Sequence, residues 1–260
     1  MSNPPIKLLV TDIDGCLIAG EKAPYDFDAL AAIRELNRAA RPDNAIPYVT
    51  ICSGRPYPYV EAMIKLVDGQ LPGIFEHGCG LYFPQHELRH ECSYDPRALV
   101  DGPDRQRRDE LIARIVAETG AGRQFAKGAL VTLFPPPEHS PADFAAYVSG
   151  LLVEAGLPLE VGHTFTSVDI GPRGVDKGTG LRWLLEELRA GGWAVDLDQV
   201  AAVGDSTSDL PFMEIAGFSG APANAAPPVR AAAGYVSPKP YTQGVLDILL
   251  QVVERNGGRA

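Results

Sequence analysis

A short apolar run, Ile6-Lys7-Leu8-Leu9-Val10, leads straight into Asp12-Ile13-Asp14-Gly15, and that junction constrains the chain more than any other. A run of this length and composition reads as a buried strand of a parallel sheet. Glycine then lets the backbone turn sharply at the strand's end. Two carboxylates two residues apart leave such a strand on one side, at the edge where open α/β sheets bind ligands. Like charges packed together raise each other's pKa unless a cation lies between them. A divalent metal is the simplest answer, with one carboxylate able to attack and the other to shuttle a proton. Taken alone, the tetrapeptide fits a strand-end turn capped by aspartates equally well.

Three later segments repeat the pattern of strand followed by polar loop. Ile46–Cys52 ends in Ser53-Gly54-Arg55-Pro56, which puts a hydroxyl and a glycine N–H at a strand tip ahead of a proline-opened helix, an arrangement suited to phosphate oxygens. Gly174-Val175-Asp176-Lys177-Gly178-Thr179-Gly180 precedes Leu181, Leu184, Leu185 and Leu188, spaced as one helix face. A lysine entering a helix N-terminus opposes the dipole unless it serves an anion. It forms no Walker loop, because it precedes its glycine and no Gly-Lys-Ser/Thr occurs. Val200–Val203 ends in Gly204-Asp205-Ser206-Thr207-Ser208-Asp209, so two more carboxylates sit at a strand tip ahead of a helix around Leu210–Ile215. Asp209 also suits a helix N-cap.

In this order the four segments resemble the four motifs of the haloacid dehalogenase superfamily of phosphohydrolases, over nearly the whole chain. The resemblance implies Asp12 as nucleophile and Asp14 as general acid/base. Ser53 and Lys177, with backbone N–H groups at Gly15 and Gly54, become phosphate binders. Mg²⁺ is implied at Asp12, the main-chain carbonyl of Asp14, and Asp205, with Asp209 supporting the site, often through water. Arg55 and Asn224 are candidate substrate contacts, the latter in Ala221-Pro222-Ala223-Asn224-Ala225. Two positions depart from the pattern. Ser208 stands where the fourth motif usually has Asn before Asp209, and Glu76-His77-Gly78 where relatives commonly carry Glu-Asn-Gly.

At 260 residues the chain suits one large domain or a core with an insert. Strand–helix alternation at both ends, with Phe27, Leu30, Ile33 and Leu36 on one helix and Val60, Met63, Ile64 and Val67 on the next, argues a doubly wound, Rossmann-like parallel α/β sheet. The core is expected over 1–83 and 172–260. Residues 84–171 break the rhythm, with helices at Arg108–Thr119 and Pro141–Ala155, a strand at Ala129–Phe134 and a strand-like Leu159–Ile170. This reads as an inserted α+β domain, whose position resembles the superfamily's type IIB cap and which would close over the site and read the leaving group.

Hydrophobic content of 45% is ample for a packed core, and a net charge of −10 argues against nucleic acid and anionic membrane surfaces. The cysteines, Cys16, Cys52, Cys79 and Cys92, make no CxxC pair and suit a reduced, cytoplasmic protein. Cys79, His86, His90 and Cys92 fit no standard zinc spacing. No signal peptide and no membrane span is expected. The expected partner is a small phosphorylated metabolite, and the expected state a monomer or homodimer. The activity implied is a Mg²⁺-dependent phosphomonoester hydrolase working through an aspartyl-phosphate. A phosphomutase keeps the same core residues and is the alternative enzyme. A dehalogenase lacks the second aspartate, and an idle binding module would be expected to have lost at least one of Asp12, Asp14, Lys177 or Asp205.

Overall fold

The structure is a computed structural model, and it describes residues 4–20, 23–84, 92–100 and 102–258. In chain order the elements are β1 (Leu8–Thr11), α1 (Phe27–Ala39), β2 (Tyr48–Ile51), α2 (Tyr57–Leu66), β3 (Gly73–Phe75), β4 (Gly80–Tyr82) and β5 (Cys92–Tyr94). There follow α3 (Gly102–Thr119), β6 (Gly122–Arg123), β7 (Val131–Phe134), α4 (Pro141–Glu154), β8 (Leu159–His163) and β9 (Val168–Pro172). The chain ends with α5 (Lys177–Ala190), β10 (Val200–Val203), α6 (Leu210–Met213), β11 (Phe218–Ala221), α7 (Pro227–Ala232), β12 (Tyr235–Val236) and α8 (Tyr241–Arg255).

Two compact units result, Met1–Ser93 with Asp176–Ala260, and Tyr94–Val175. The joints fall some residues beyond Pro84 and Gly171 because β5 joins the small β3-β4-β5 sheet of the first unit before the chain departs. In the first unit a parallel sheet runs β12-β11-β10-β1-β2. Its period-2 alternation sends Leu8 and Val10 of β1, with Val200 and Ala202 of β10, to the face covered by Leu181, Leu184, Leu185 and Leu188 of α5. On the sheet's other side α8 packs with α1 and against β10 and β11. From β1 the chain adds β2 on one side, then returns to add β10 on the other. The β1/β10 boundary is therefore the switch point, and ligands of such sheets bind there, beyond the strands' carboxyl ends.

The second unit is a sheet of order β6-β7-β9-β8, all antiparallel. Val131 and Leu133 of β7 and Val168 and Ile170 of β9 pack with Leu111, Ile112 and Ile115 of α3 and Phe144, Val148 and Leu152 of α4. The segment Leu159–Ile170 is two strands rather than one. Thr164 breaks it, because its hydroxyl accepts from the N–H groups of Thr166 (3.2 Å) and Ser167 (3.1 Å) while its own N–H donates to the Ser167 carbonyl (2.8 Å). Phe165 consequently sits exposed at a hairpin tip. His86 and His90 lie outside the described residues. No helix among the described residues is long and apolar enough to cross a membrane.

Candidate active site

Asp12 and Asp205 leave adjacent parallel strands, and the Asp12 N–H donates to the Val203 carbonyl at 2.9 Å, which sets the two tips side by side. Gly15 has φ +79°, and a Cβ there would come within 2.1 Å of the Asp205 carboxylate, so only glycine leaves that carboxylate room. Ligand oxygens of Asp12, Asp205 and Asp209 lie within 4.8 Å of one another. Lys177 opens α5 behind a capping box, in which Asp176 accepts from the Thr179 N–H (2.8 Å) and Thr179 Oγ1 accepts from the Asp176 N–H (2.9 Å). The lysine's misplacement against the helix dipole is offset by its partners. Its Nζ lies 2.5 Å from Asp209 Oδ1 and 3.0 Å from Asp12 Oδ1, and it is 1% exposed.

Two carboxylates thus pair with one buried ammonium, and a third, Asp205, lies beside them. Burial pushes Asp12 up, Lys177 pulls it down, and Asp209 and Asp14 push it up again, leaving its pKa near about 7. Burial, then Asp209 and Asp12, carry Asp205 to about 8. Burial alone would lower Lys177, but Asp12 and Asp209 hold it well above the ordinary lysine range. The Asp12 Oδ1 atom is buried and, although at ion-pair distance from Lys177, accepts no aligned hydrogen bond. A surplus of hard oxygen donors with an unsatisfied buried oxygen fits a small divalent cation such as Mg²⁺.

Asp209 is differently occupied. Its Oδ1 accepts from Lys177, and its Oδ2 accepts from the N–H groups of Asp205 (3.0 Å) and Ser206 (2.9 Å) and from the Ser206 hydroxyl (3.1 Å). These bonds make it the brace that shapes the Asp205 loop and steadies Lys177. Asp14 turns away from the carboxylate group. Both its oxygens accept from Arg55, Oδ2 from Nε at 2.7 Å and Oδ1 from Nη2 at 2.6 Å. Arg55, expected as a substrate contact, therefore holds Asp14, and its guanidinium lies over the Tyr59 ring at 4.9 Å.

Ser53 is buried at the tip of β2, its backbone held by Ile74 (N–H to carbonyl, 3.0 Å) and His77 (N–H to the Ser53 carbonyl, 3.0 Å). A Cβ on Gly54 would fall 2.3 Å from His77 Nε2. Glu76, His77 and Gly78 all take positive φ, at 49°, 55° and 103°, a run that for the two non-glycine residues costs on the order of 1–3 kcal/mol each. This twist seats His77 against Gly54 and brings Gly78 against the Asp176 carbonyl, where a Cβ would sit 2.0 Å away. Sequence reasoning noted the triplet but not this function; the glycine was the available signal. Asn224 is a bracket, donating to the Gly15 carbonyl (2.9 Å) and accepting from the Tyr241 N–H (2.8 Å). It ties the nucleophile loop to the start of α8.

A family model described as haloacid dehalogenase-like hydrolase matches residues 161–249. The phosphoglycolate phosphatase of Methanopyrus kandleri is 27% identical over 247 residues, 95% of this chain and 97% of that one. That of Methanothrix thermoacetophila is 40% identical over 101 residues, which cover 39% of this chain and only 43% of the relative. A crystal structure from Thermoplasma acidophilum superposes with a TM-score of 0.74 at 18% identity, covering 97% of this chain and 100% of that one, and so shares the fold. The chain is thus similar to the haloacid dehalogenase-like hydrolases over residues 161–249.

Proposed function

We propose that the chain is a Mg²⁺-dependent phosphomonoester hydrolase that moves the phosphoryl group of a small phosphorylated metabolite first to Asp12 and then to water. The observation that carries this reading is the Asp12 Oδ1 atom, buried, ion-paired to the Lys177 ammonium at 3.0 Å and without an aligned hydrogen bond. An oxygen with a free lone pair beside a fixed cation is suited to attack phosphorus while the ammonium receives the phosphoryl oxygens. Ser53 and the Gly54 N–H complete that reception, whereas the Gly15 N–H, expected to join them, is already given to the Ile18 carbonyl at 2.8 Å. Asp14 protonates the leaving alcohol and then deprotonates the attacking water. Asp12, the Asp14 main-chain carbonyl and Asp205, with Asp209 as their brace, would hold Mg²⁺, whose charge would offset repulsion between carboxylate and phosphate.

Chelation tests this directly. EDTA is expected to abolish hydrolysis of an aryl phosphate and Mg²⁺ to restore it, with Ca²⁺ a poor substitute because its larger, looser shell misplaces the nucleophile. Undiminished turnover in chelator would contradict the metal's part.

The raised carboxylates give a second expectation. In the metal-free protein Asp12 and Asp205 hold protons that the unfolded chain releases, so stability falls as pH rises from the ordinary carboxylate range through about 7 and about 8. Mg²⁺ competes with those protons, and its binding strengthens over the same window. The Mg²⁺-induced rise in Tm is therefore expected to be larger at pH 8 than at pH 6, by scanning calorimetry. An equal or smaller rise at pH 8 would count against the carboxylate cluster as the metal's seat.

A further inference from the structure

Arg55 holds Asp14 in a geometry at odds with catalysis. Each Asp14 oxygen accepts a short, charge-assisted bond from the guanidinium, 2.7 Å and 2.6 Å, and such forked pairs are among the stronger side-chain contacts. While both oxygens face Arg55, neither can be aimed at the ester oxygen of a leaving group. Asp14 must therefore let go of the fork before it can act.

The arginine is built not to follow it. Its side chain is only 15% exposed, against 36% for Asp14, so the carboxylate is the more accessible partner. The Tyr59 ring lies 4.9 Å beneath the guanidinium, and Tyr59 rides on α2, directly after the Ser53-Gly54-Arg55 turn. The Tyr59 hydroxyl is in turn 3.2 Å from that of Tyr25, which joins the loop ahead of α1 to this stack. The Arg55 N–H groups that Asp14 occupies thus stay in place when Asp14 turns away. A planar fork of that kind matches the paired oxygens of a carboxylate or phosphate, and its N–H groups also donate to hydroxyl oxygens.

Resting on the phosphatase reading above, we propose that Arg55 is a specificity-determining residue. An acceptor oxygen on the leaving group, a carboxylate or hydroxyl one or two carbons from the ester oxygen, takes over the Arg55 fork and so releases Asp14 toward that ester oxygen. Phosphomonoesters whose leaving group lacks such an acceptor leave Asp14 engaged. The substrate class is then a short phosphorylated hydroxy acid or polyol rather than a plain alkyl phosphate.

A matched pair tests this: 2-phosphoglycolate, which carries the carboxylate, and ethyl phosphate, which lacks it, each with Mg²⁺. For the wild-type protein kcat/KM is expected to favour phosphoglycolate by roughly 10² or more, as sites built to bond a substrate polar group reject analogues without it. Arg55→Gln is expected to bring that ratio down to within about tenfold of unity, and Arg55→Lys, which keeps charge without the fork, to leave it between the two. The ratio is the informative readout, because a merely structural role would lower both substrates together. A ratio unchanged in both variants, a wild-type ratio near one, or a parallel fall of the two substrates would overturn the proposal. Failure of the wild-type protein to hydrolyse any phosphomonoester would instead remove the phosphatase reading, and this inference with it.

Discussion

Asp12→Asn is expected to remove phosphatase turnover by at least about 10⁴-fold, the scale on which loss of a nucleophile acts in covalent catalysis. Asparagine keeps the size of the side chain but cannot form or release an acyl phosphate. Folding should survive, and the pKa direction says more. Burial makes ionised Asp12 unfavourable, with its pKa raised to about 7, so replacing it by a neutral amide removes a burden that grows as pH rises from the ordinary carboxylate range to that value and is constant above it. The metal-free variant is therefore expected to melt higher than wild type at pH 8, with a smaller difference at pH 5. Inactivity combined with a higher melting temperature separates a lost nucleophile from a damaged fold. Near-normal turnover would contradict the assignment.

Lys177→Met should act in the opposite sense on stability. Lys177 is 1% exposed and lies between Asp12 and Asp209. Methionine fills the volume but leaves two buried carboxylates without their cation, and breaking a buried pair in this way costs about 3–5 kcal/mol. The loss should be greatest near pH 8 and smaller near pH 5, where Asp12 and Asp205 are protonated and the cluster carries less charge. Added Mg²⁺ should restore part of the stability while activity stays low, because the metal supplies charge but not the ammonium that receives the phosphoryl oxygens. Chemical denaturation at the two pH values, with and without Mg²⁺, measures each part. A variant as stable as wild type at pH 8 would show that Lys177 does not balance the cluster.

Residues at strand tips were the most legible part of the molecule. Asp12, Lys177, Asp205 and Asp209 stand beside short aliphatic runs or a leucine-faced helix, and parallel strands bring such tips to one edge whatever the details between them. The parallel sheet itself was legible for the same reason, since β1, β2 and β10 are apolar on both faces. What stayed hidden depends on pairing across space. Nothing local says that Arg55 grips Asp14, 41 positions earlier, or that the Asn224 amide brackets Gly15 and Tyr241. The break at Thr164 was concealed because Phe165, Val168 and Ile170 suggest alternation along a single strand-like Leu159–Ile170, while the deciding bonds come from a single hydroxyl. The positive φ angles at Glu76 and His77 are unmarked in sequence, because non-glycine residues adopt them only when surrounding packing imposes it.

The covalent intermediate on Asp12 is the central claim, and rapid acid quench of the Asp14→Asn variant tests it most directly. With an activated aryl phosphate, transfer to Asp12 needs little acid assistance, whereas hydrolysis of the intermediate needs the missing base, whose removal slows it by on the order of 10²–10⁴. Phosphoenzyme should accumulate within the first turnover, and peptide mapping of the quenched protein should place the phosphoryl group on Asp12. A variant that turns over with no trapped phosphoenzyme, or one that carries the phosphoryl group on any other residue, would contradict the account.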